Sequence, residues 1–380
     1  PAFALGLPLP LPELAIQYVD YADWQRTSIE SGKFEHQLRY WKQQLGGSLP
    51  ILALPLDHPR PEVRTYHGAT VDLHLPGSLI EKLKSMCQSH GTTLFMALLG
   101  AFKVLLYRYT AQEDLIVGSP IANRNRLELE GLIGCFINML ALRTDMSGNP
   151  SFRELLNQVQ RVALAAYENQ DLPIEILTEE LRPARVQDQN PLFQVCFIYQ
   201  NFPSVDMTLG DLKISKWEIE KQISTLDLSL YLWEENDGLV ASMEYDNVIF
   251  DKITIERMLL HYQTLLEGII ANPDTPILEL PLPTQEERNK ILVEWNSIPF
   301  SEHLGLAAET KCIHQLFEAQ VRRTPDALAL ISGAEQLTYR ELNARANQLA
   351  HYLQQLGVGP EVCVGLFVER STEMIIGLLA

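Results

Sequence analysis

Apolar and polar positions along this chain predict a mixture of strands and helices. Val71-Asp72-Leu73-His74-Leu75 alternates, as a strand with one buried face does. Leu94 to Tyr107 is apolar nearly all round, which predicts a buried helix. Leu115-Ile116-Val117, closed by Gly118-Ser119-Pro120, predicts a short interior strand. Phe152, Leu155, Leu156, Val159, Ala163 and Ala166 fall on one helical face, and so do Ile255, Met258, Leu259, Tyr262, Leu265, Leu266 and Ile269. Between these helices lies a hairpin. Leu226, Leu228, Leu230 and Leu232 alternate with polar or aromatic residues, Asn236-Asp237-Gly238 turns the chain, and Leu239, Ala241, Met243 and Tyr245 alternate on the return.

The pattern then breaks. Pro273, Pro276, Pro281 and Pro283 mark a domain edge. Thr284 and Glu287 form a capping-box pattern for a short helix carrying Ile291, Leu292 and Trp295, and residues 296–310 read as loop. A second unit starts near Cys312. Ile313, Leu316 and Phe317 share a helical face that ends before Thr324-Pro325. Ala327 to Ile331 predicts a strand. Thr338 and Glu341 cap a helix with Leu342, Ala346, Leu349, Leu353 and Leu356 on one stripe, and Gly357 stops it. Val362 to Val368 predicts another strand, so an α/β unit is expected here.

Length and composition narrow the class. The 380 residues are enough for about two to three ordinary domains. The 46% hydrophobic content is that of a globular protein with a sizeable core. A net charge of -18 argues against binding a phosphate backbone, so nucleic acid is not an expected partner. Neither is a membrane. The longest apolar stretch, Leu94 to Leu106, is too short to span one and holds Lys103, and the proline-broken start lacks the charged flank of a signal peptide. Cys87, Cys135, Cys196, Cys312 and Cys363 are odd in number, scattered and without a Cys-x-x-Cys. This fits reduced thiols in a cytosol, most of them buried as small hydrophobes. The chain opens on Pro1 and stops inside the apolar run Met374 to Ala380, so both ends read as truncations of a longer chain.

Several chemistries are missing by inspection. There is no Gly-x-x-x-x-Gly-Lys or Gly-x-Gly-x-x-Gly phosphate loop, no Gly-x-Ser-x-Gly elbow and no His-Glu-x-x-His zinc pair. His58, His67 and His74 lie close in sequence but read as exposed or structural, so no metal site is expected.

Five segments, in order, carry a resemblance. Tyr18-Val19-Asp20-Tyr21-Ala22-Asp23-Trp24-Gln25 resembles a Tyr-x-Asp-Tyr-Ala-x-Trp-Gln motif. Ile116 to Arg124 resembles Gly-Thr-Pro-x-Ala-Asn-Arg, with Ser119 for the usual Thr, and Leu132-Ile133-Gly134-Cys135-Phe136-Ile137-Asn138 continues it. Asn169 to Glu175 resembles His-Gln-Asp-x-Pro-Phe-Glu, with Asn169 for His and Ile174 for Phe. Asn190-Pro191-Leu192-Phe193-Gln194-Val195 with Tyr199-Gln200-Asn201 resembles Asn-Pro-Leu-Phe-Gln-Val. These are motifs of the condensation domain of nonribosomal peptide synthetases. Leu337-Thr338-Tyr339-Arg340-Glu341-Leu342 resembles the first motif of adenylation domains. The family's catalytic His-His-x-x-x-Asp-Gly is absent from the chain, and the resemblance places it upstream of Pro1.

The resemblance implies an α/β fold: a chloramphenicol acetyltransferase-like lobe, with a mixed sheet and flanking helices, then the beginning of an adenylate-forming-enzyme domain. It divides the chain into 1–70, the end of the N-terminal lobe; 71–283, the C-terminal lobe; 284–311, a linker; and 312–380, the opening of the adenylation domain. In such enzymes the amine of one carrier-bound aminoacyl group attacks the thioester of another, in a tunnel between two lobes. No catalytic residue is assigned to this chain, and the isolated chain is expected to catalyse neither reaction. Asn123, Arg124, Asn138, Gln170, Asp171 and Asn190 are candidates for the lobe junction or tunnel wall. Amides and a guanidinium can brace loops against carbonyls or line a polar tunnel, and bracing is favoured over substrate contact. The chain itself is expected to bind no cofactor, while the parent would use ATP, Mg and phosphopantetheine on carrier domains. Expected partners are peptidyl and aminoacyl carrier domains and other domains of the same cytoplasmic synthetase. The alternatives are a standalone CoA- or carrier-dependent acyltransferase of the same fold and a noncatalytic carrier-docking module.

Overall fold

The computed structural model describes residue 6 and residues 13–183, 189–200, 208–209, 212–213, 222–235, 238–297, 312–359 and 361–380. The proline-broken start up to residue 12 apart from residue 6, Asn201, the Asn236-Asp237 pair of the expected turn and residues 298–310 of the expected loop lie outside them. The chain forms two compact units, Pro1–Val293 and Glu294–Ala380.

In the first unit the strands are β1 (Gly68–Leu75), β2 (Asp114–Ile121), β3 (Asn138–Asp145), β4 (Val195–Gln200), the two-residue pair β5 (Thr208–Leu209) and β6 (Leu212–Lys213), β7 (Leu228–Glu235) and β8 (Gly238–Asp246). Six of them make one mixed sheet in the order β1-β8-β7-β4-β2-β3. The β1–β8, β8–β7 and β2–β3 pairings are antiparallel, and β7–β4 and β4–β2 are parallel. The expected hairpin is β7–β8, with Leu228, Leu230 and Leu232 and the returning Leu239, Ala241 and Met243 all buried.

The helices are α1 (Tyr18–Glu30), α2 (Glu35–Gln44), α3 (Gly77–Ser89), α4 (Leu94–Thr110), the single turn α5 (Leu127–Glu130), α6 (Phe152–Glu168), α7 (Ile174–Leu181), α8 (Lys252–Ala271) and α9 (Gln285–Asn289), which runs into a π-helical turn at Lys290–Glu294. The uniformly apolar segment is α4. It packs against α3, α6, α8, β2 and β4, so Met96 to Tyr107 are buried on every side, as an all-round apolar helix requires. The buried residues of α6 are the six read from the periodicity, and a Ser151–Glu154 capping box starts the helix. α8 buries its expected stripe and adds Thr254 and His261. Phe34, Trp41, Leu45, Leu52 and Leu54, from α2 and the segments flanking it, join the same core as the sheet.

Central strand β8 departs from simple alternation. Its polar positions Ser242, Glu244 and Asp246 are buried along with its apolar ones. An interior strand has neighbours on both edges, and here both faces are covered. Asp246 lies 3.6 Å from Arg64, which also approaches Asp227, and Asp227 is gripped by Arg60 through two bonds of 3.0 and 2.6 Å. Charge pairing and hydrogen bonding offset the cost of burying such carboxylates.

The second unit contains α10 (Ile313–Arg323), β9 (Leu328–Ser332), β10 (Glu335–Thr338), α11 (Tyr339–Gln355) and α12 (Thr372–Leu379). β9 and β10 pair antiparallel. The Thr338–Glu341 capping box is present at the start of α11. At its end Gly357 adopts φ +89, while Gly357 N–H reaches Gln354 O and Val358 N–H reaches Leu353 O. That paired closure needs a left-handed residue, which is why a glycine ends the helix. The expected strand at Val362 to Val368 is not one. The segment joins no ladder, and its apolar side chains are exposed. Strand propensity without a paired neighbour gives no strand. The thiols also differ from expectation: Cys87 and Cys196 are buried, but Cys135, Cys312 and Cys363 are exposed because they sit in a loop, at a helix cap and in the unpaired segment. No single helix among the described residues is long and apolar enough to cross a membrane.

Candidate functional site

Four of the five motif segments meet in one polar lattice. Its base is aromatic. Tyr21 of α1 packs on Phe136, with ring centroids 4.7 Å apart, and Tyr18 meets Phe136 edge-on at 5.2 Å. The Tyr18 hydroxyl donates to Cys135 O at 2.9 Å. Burial, reinforced by the charge of Asp171, pushes the Tyr21 hydroxyl above its ordinary pKa, so it stays protonated near neutrality.

Asn123 and Arg124 close this base from above. Asn123 takes φ +50, a left-handed conformation that asparagine tolerates, and its amide reaches the Tyr21 hydroxyl at 3.5 Å. The Arg124 guanidinium stacks 4.1 Å from the centre of the Phe136 ring. It also donates to Leu129 O and Gly134 O, so it ties off the turn around α5.

Asn138, at the start of β3, is 6% exposed and uses its whole amide. Nδ2 donates to Gln170 O and Leu172 O, each at 2.8 Å, and Oδ1 accepts from Met139 N and Ile174 N. It therefore holds the 169–174 loop from the sheet side. Gln170 enters through its backbone carbonyl. Asp171 enters through both carboxylate oxygens, which accept from Asn125 at 2.7 Å and Gln37 at 3.0 Å. Gln37 also accepts from Leu172 N, and Trp41 Nε1 donates to Asn169 O at 2.8 Å.

Asn190 stands apart from this lattice. Its Oδ1 accepts from Leu192 N and Phe193 N, a side-chain turn of the kind asparagine forms before a strand. It lines a groove of about 770 Å³ with Met139, Ile174, Pro191 and Phe193. Met139 and Ile174 each adjoin or bond to Asn138, so the groove runs beside the lattice. The fifth segment meets the second by packing. Phe193 lies over Gly118, where any Cβ would overlap its ring. Among the described residues no group of three or more His, Cys, Asp or Glu side chains could hold a metal ion.

Sequence patterns therefore point to residues that the fold brings together, but they miss Tyr21, Gln37, Trp41 and Asn125 as partners. Tyr21 stands in the first motif segment without an assigned partner, Trp41 and Asn125 stand in none, and no local pattern pairs Gln37 with a residue 134 positions away.

The six-stranded mixed sheet, its helix layer and this loop lattice define one lobe of an α/β domain with a groove beside it. A family model, Condensation domain, matches residues 4–292, and a second, AMP-binding enzyme, matches residues 317–380. The chain belongs to the condensation-domain family. It is similar to a linear gramicidin synthase of Brevibacillus parabrevis, 48% identical over 383 residues, covering all of this chain and 7% of that protein. Among solved structures it is similar to the X-domain from teicoplanin biosynthesis (TM-score 0.68, 26% identity, 74% of this chain and 65% of that one). A four-domain nonribosomal peptide synthetase bound to AMP and glycine shares the fold (TM-score 0.66, 23% identity, 90% of this chain and 26% of that one). The chain spans only 5 to 10% of the length of the curated relatives it matches.

Proposed function

We propose that this chain is part of a nonribosomal peptide synthetase module. Its condensation part joins two carrier-bound aminoacyl thioesters, and its second unit belongs to the domain that activates an amino acid with ATP. The observation that carries the reading is the order of the two family matches, with a loop lattice from four motif segments beside a groove. In the reaction the acceptor amine attacks the donor carbonyl, the C–N bond forms, the C–S bond breaks, and the amine's proton leaves with the thiol. An amine nucleophile needs positioning more than a strong base. Asn123, Arg124, Asn138, Gln170 and Asp171 supply that positioning as braces of the groove wall, and Asn190 lines the groove directly. The domain limits 1–70, 71–283, 284–311 and 312–380 belong to the same proposal, as do a cytoplasmic location and carrier domains as partners.

ATP, Mg and the phosphopantetheine arm are assigned to the parent protein. The described residues offer no cluster fit for a metal, and no step here runs through one. A noncatalytic docking role is the second reading, favoured by similarity to an X-domain solved in complex with OxyB. The test is an intact synthetase with both flanking carriers loaded. Formation of the carrier-bound peptide, lost on Asn138→Ala while amino-acid-dependent pyrophosphate exchange persists, supports condensation. Exchange without any amide bond in the unaltered protein would favour docking.

A further inference from the structure

We infer that Gln37 is the positioning residue of the 169–174 loop, acting through both ends of its side-chain amide. This rests on the reading that the loop borders the condensation groove. Gln37 lies on α2, is 3% exposed, and belongs to none of the motif segments. Its Nε2 donates to Asp171 Oδ2 at 3.0 Å and its Oε1 accepts from Leu172 N at 2.9 Å. Trp41, one turn further along the same helix face, donates to Asn169 O. From the opposite side Asn138 takes the carbonyls of Gln170 and Leu172. The loop joins no ladder, so these side chains fix where its backbone lies. Ile174, the last residue of this loop segment, starts α7 and lines the groove.

The chemistry at this position is specific. A methionine would fill the volume and supply neither bond. A glutamate would keep the acceptor for Leu172 N but set a carboxylate against the carboxylate of Asp171. The groups around Asp171 are Asn125 on its other oxygen and the Tyr21 hydroxyl of α1, which feels both the Asp171 charge and the opposite charge of Arg126, a guanidinium stacked 4.6 Å from the Trp24 ring. None of these donates to the oxygen that Gln37 serves. A proton shared between the two carboxyl groups would restore the missing donor, so a glutamate variant should regain order on acidification.

The experiment compares wild type, Gln37→Met and Gln37→Glu in the intact synthetase. It reads hydrogen exchange over 169–174, amide-bond formation and amino-acid-dependent pyrophosphate exchange across a range from about pH 6 to about 8.5, each as a ratio to wild type. Gln37→Met is expected to raise loop exchange and slow condensation about tenfold to a hundredfold at every pH. Pyrophosphate exchange should stay unchanged. Gln37→Glu is expected to match that loss at the alkaline end and recover severalfold at the acidic end. Wild-type exchange and rate in both variants, or equal losses at every pH, would overturn the inference. If the wild-type synthetase forms no amide bond, the functional reading fails, and the loop-exchange arm still decides whether Gln37 holds the loop.

Discussion

The side-chain amide of Asn138 donates to the carbonyl of Leu172 at 2.8 Å, joining the first residue of β3 to a loop 34 residues away. The same nitrogen serves Gln170, and the amide oxygen accepts from Ile174 N. Asn138→Ala would leave these buried groups unpaired, at a cost of about 2–3 kcal/mol. Asn138→Asp should be at least as damaging, because it turns a donor into an acceptor facing two carbonyls. Urea denaturation of the three proteins at neutral pH gives the ranking. An Asp variant as stable as wild type would refute this account of the site.

Lys103 sits in the middle of α4 with no exposed surface, and its Nζ donates to Leu142 O at 2.7 Å. Burial pushes the ammonium down to about 7, with Asp114 pulling the other way. The unfolded chain holds its proton up to about pH 10.5, so between about 7 and 10.5 it binds more protons than the folded one. This residue therefore makes stability rise with pH across that window, and its penalty is greatest below it. Lys103→Met is expected to stabilise the protein by a few kcal/mol, on the order set by roughly 1.4 kcal/mol per pKa unit. The gain should be largest at and below pH 7 and fade towards pH 10.5. A gain independent of pH would mean that desolvation of the charge is not its source.

These two residues mark what the sequence pattern could and could not reveal. Core faces were legible because burial on α6 and α8 follows a period set by the helix itself. The capping boxes at Thr284 and Thr338 were legible because both partners lie within one turn. Gln37–Asp171 and Asn138–Leu172 were not, since each pairing is made by the tertiary fold between distant segments. The same reasoning explains the misread strand at Val362 to Val368, whose propensity is local while its pairing is not.

His261 links α8 to the last helix of the first unit. Its ring bonds Tyr109 Oη at 2.8 Å on one side and Glu287 Oε2 at 2.7 Å on the other. Burial alone would raise the Glu287 carboxyl, but the Thr284 N–H and the His261 ring together hold it below its ordinary range. A depressed carboxyl contributes stability above its unfolded pKa of about 4.5 and loses it as pH falls through the lower folded value. Hydrogen exchange over residues 284–290 should therefore be steady at neutral pH and quicken on acidification below about 4.5. Glu287→Gln should weaken protection by about 1 kcal/mol at neutral pH and flatten the acid response. An unchanged acid response in that variant would place the titrating group elsewhere.

The five thiols divide by environment. Burial raises the Cys87 thiol and pushes Cys196 up to about 12, so neither offers a thiolate near neutrality. Iodoacetamide on the native protein at about pH 8 should label Cys135, Cys312 and Cys363, leaving Cys87 and Cys196 for the unfolded chain. Peptide mapping reads this directly, and native labelling of Cys196 would contradict its burial in β4.

Gly118 and Phe193 add a fit of shape to the pairing of β2 with β4, the strands that carry two of the motif segments. A Cβ on Gly118 would overlap the Phe193 ring, which is itself 4% exposed and has little room to withdraw. Gly118→Ala should therefore displace Phe193, at a cost of about 1–3 kcal/mol from overpacking. Because Pro191, Leu192 and Phe193 also line the groove, the displacement should reach the groove wall as well as the core. Phe193→Leu alone costs about 1 kcal/mol or more through a smaller side chain in a close-packed site. Combined with Gly118→Ala it makes space for the new methyl, so the pair should be more stable than the sum of the singles by about 1 kcal/mol. Denaturation of the four proteins of that cycle measures the coupling. Simple additivity would show that the two residues do not share this space, and that glycine stands at 118 for some reason other than the ring above it.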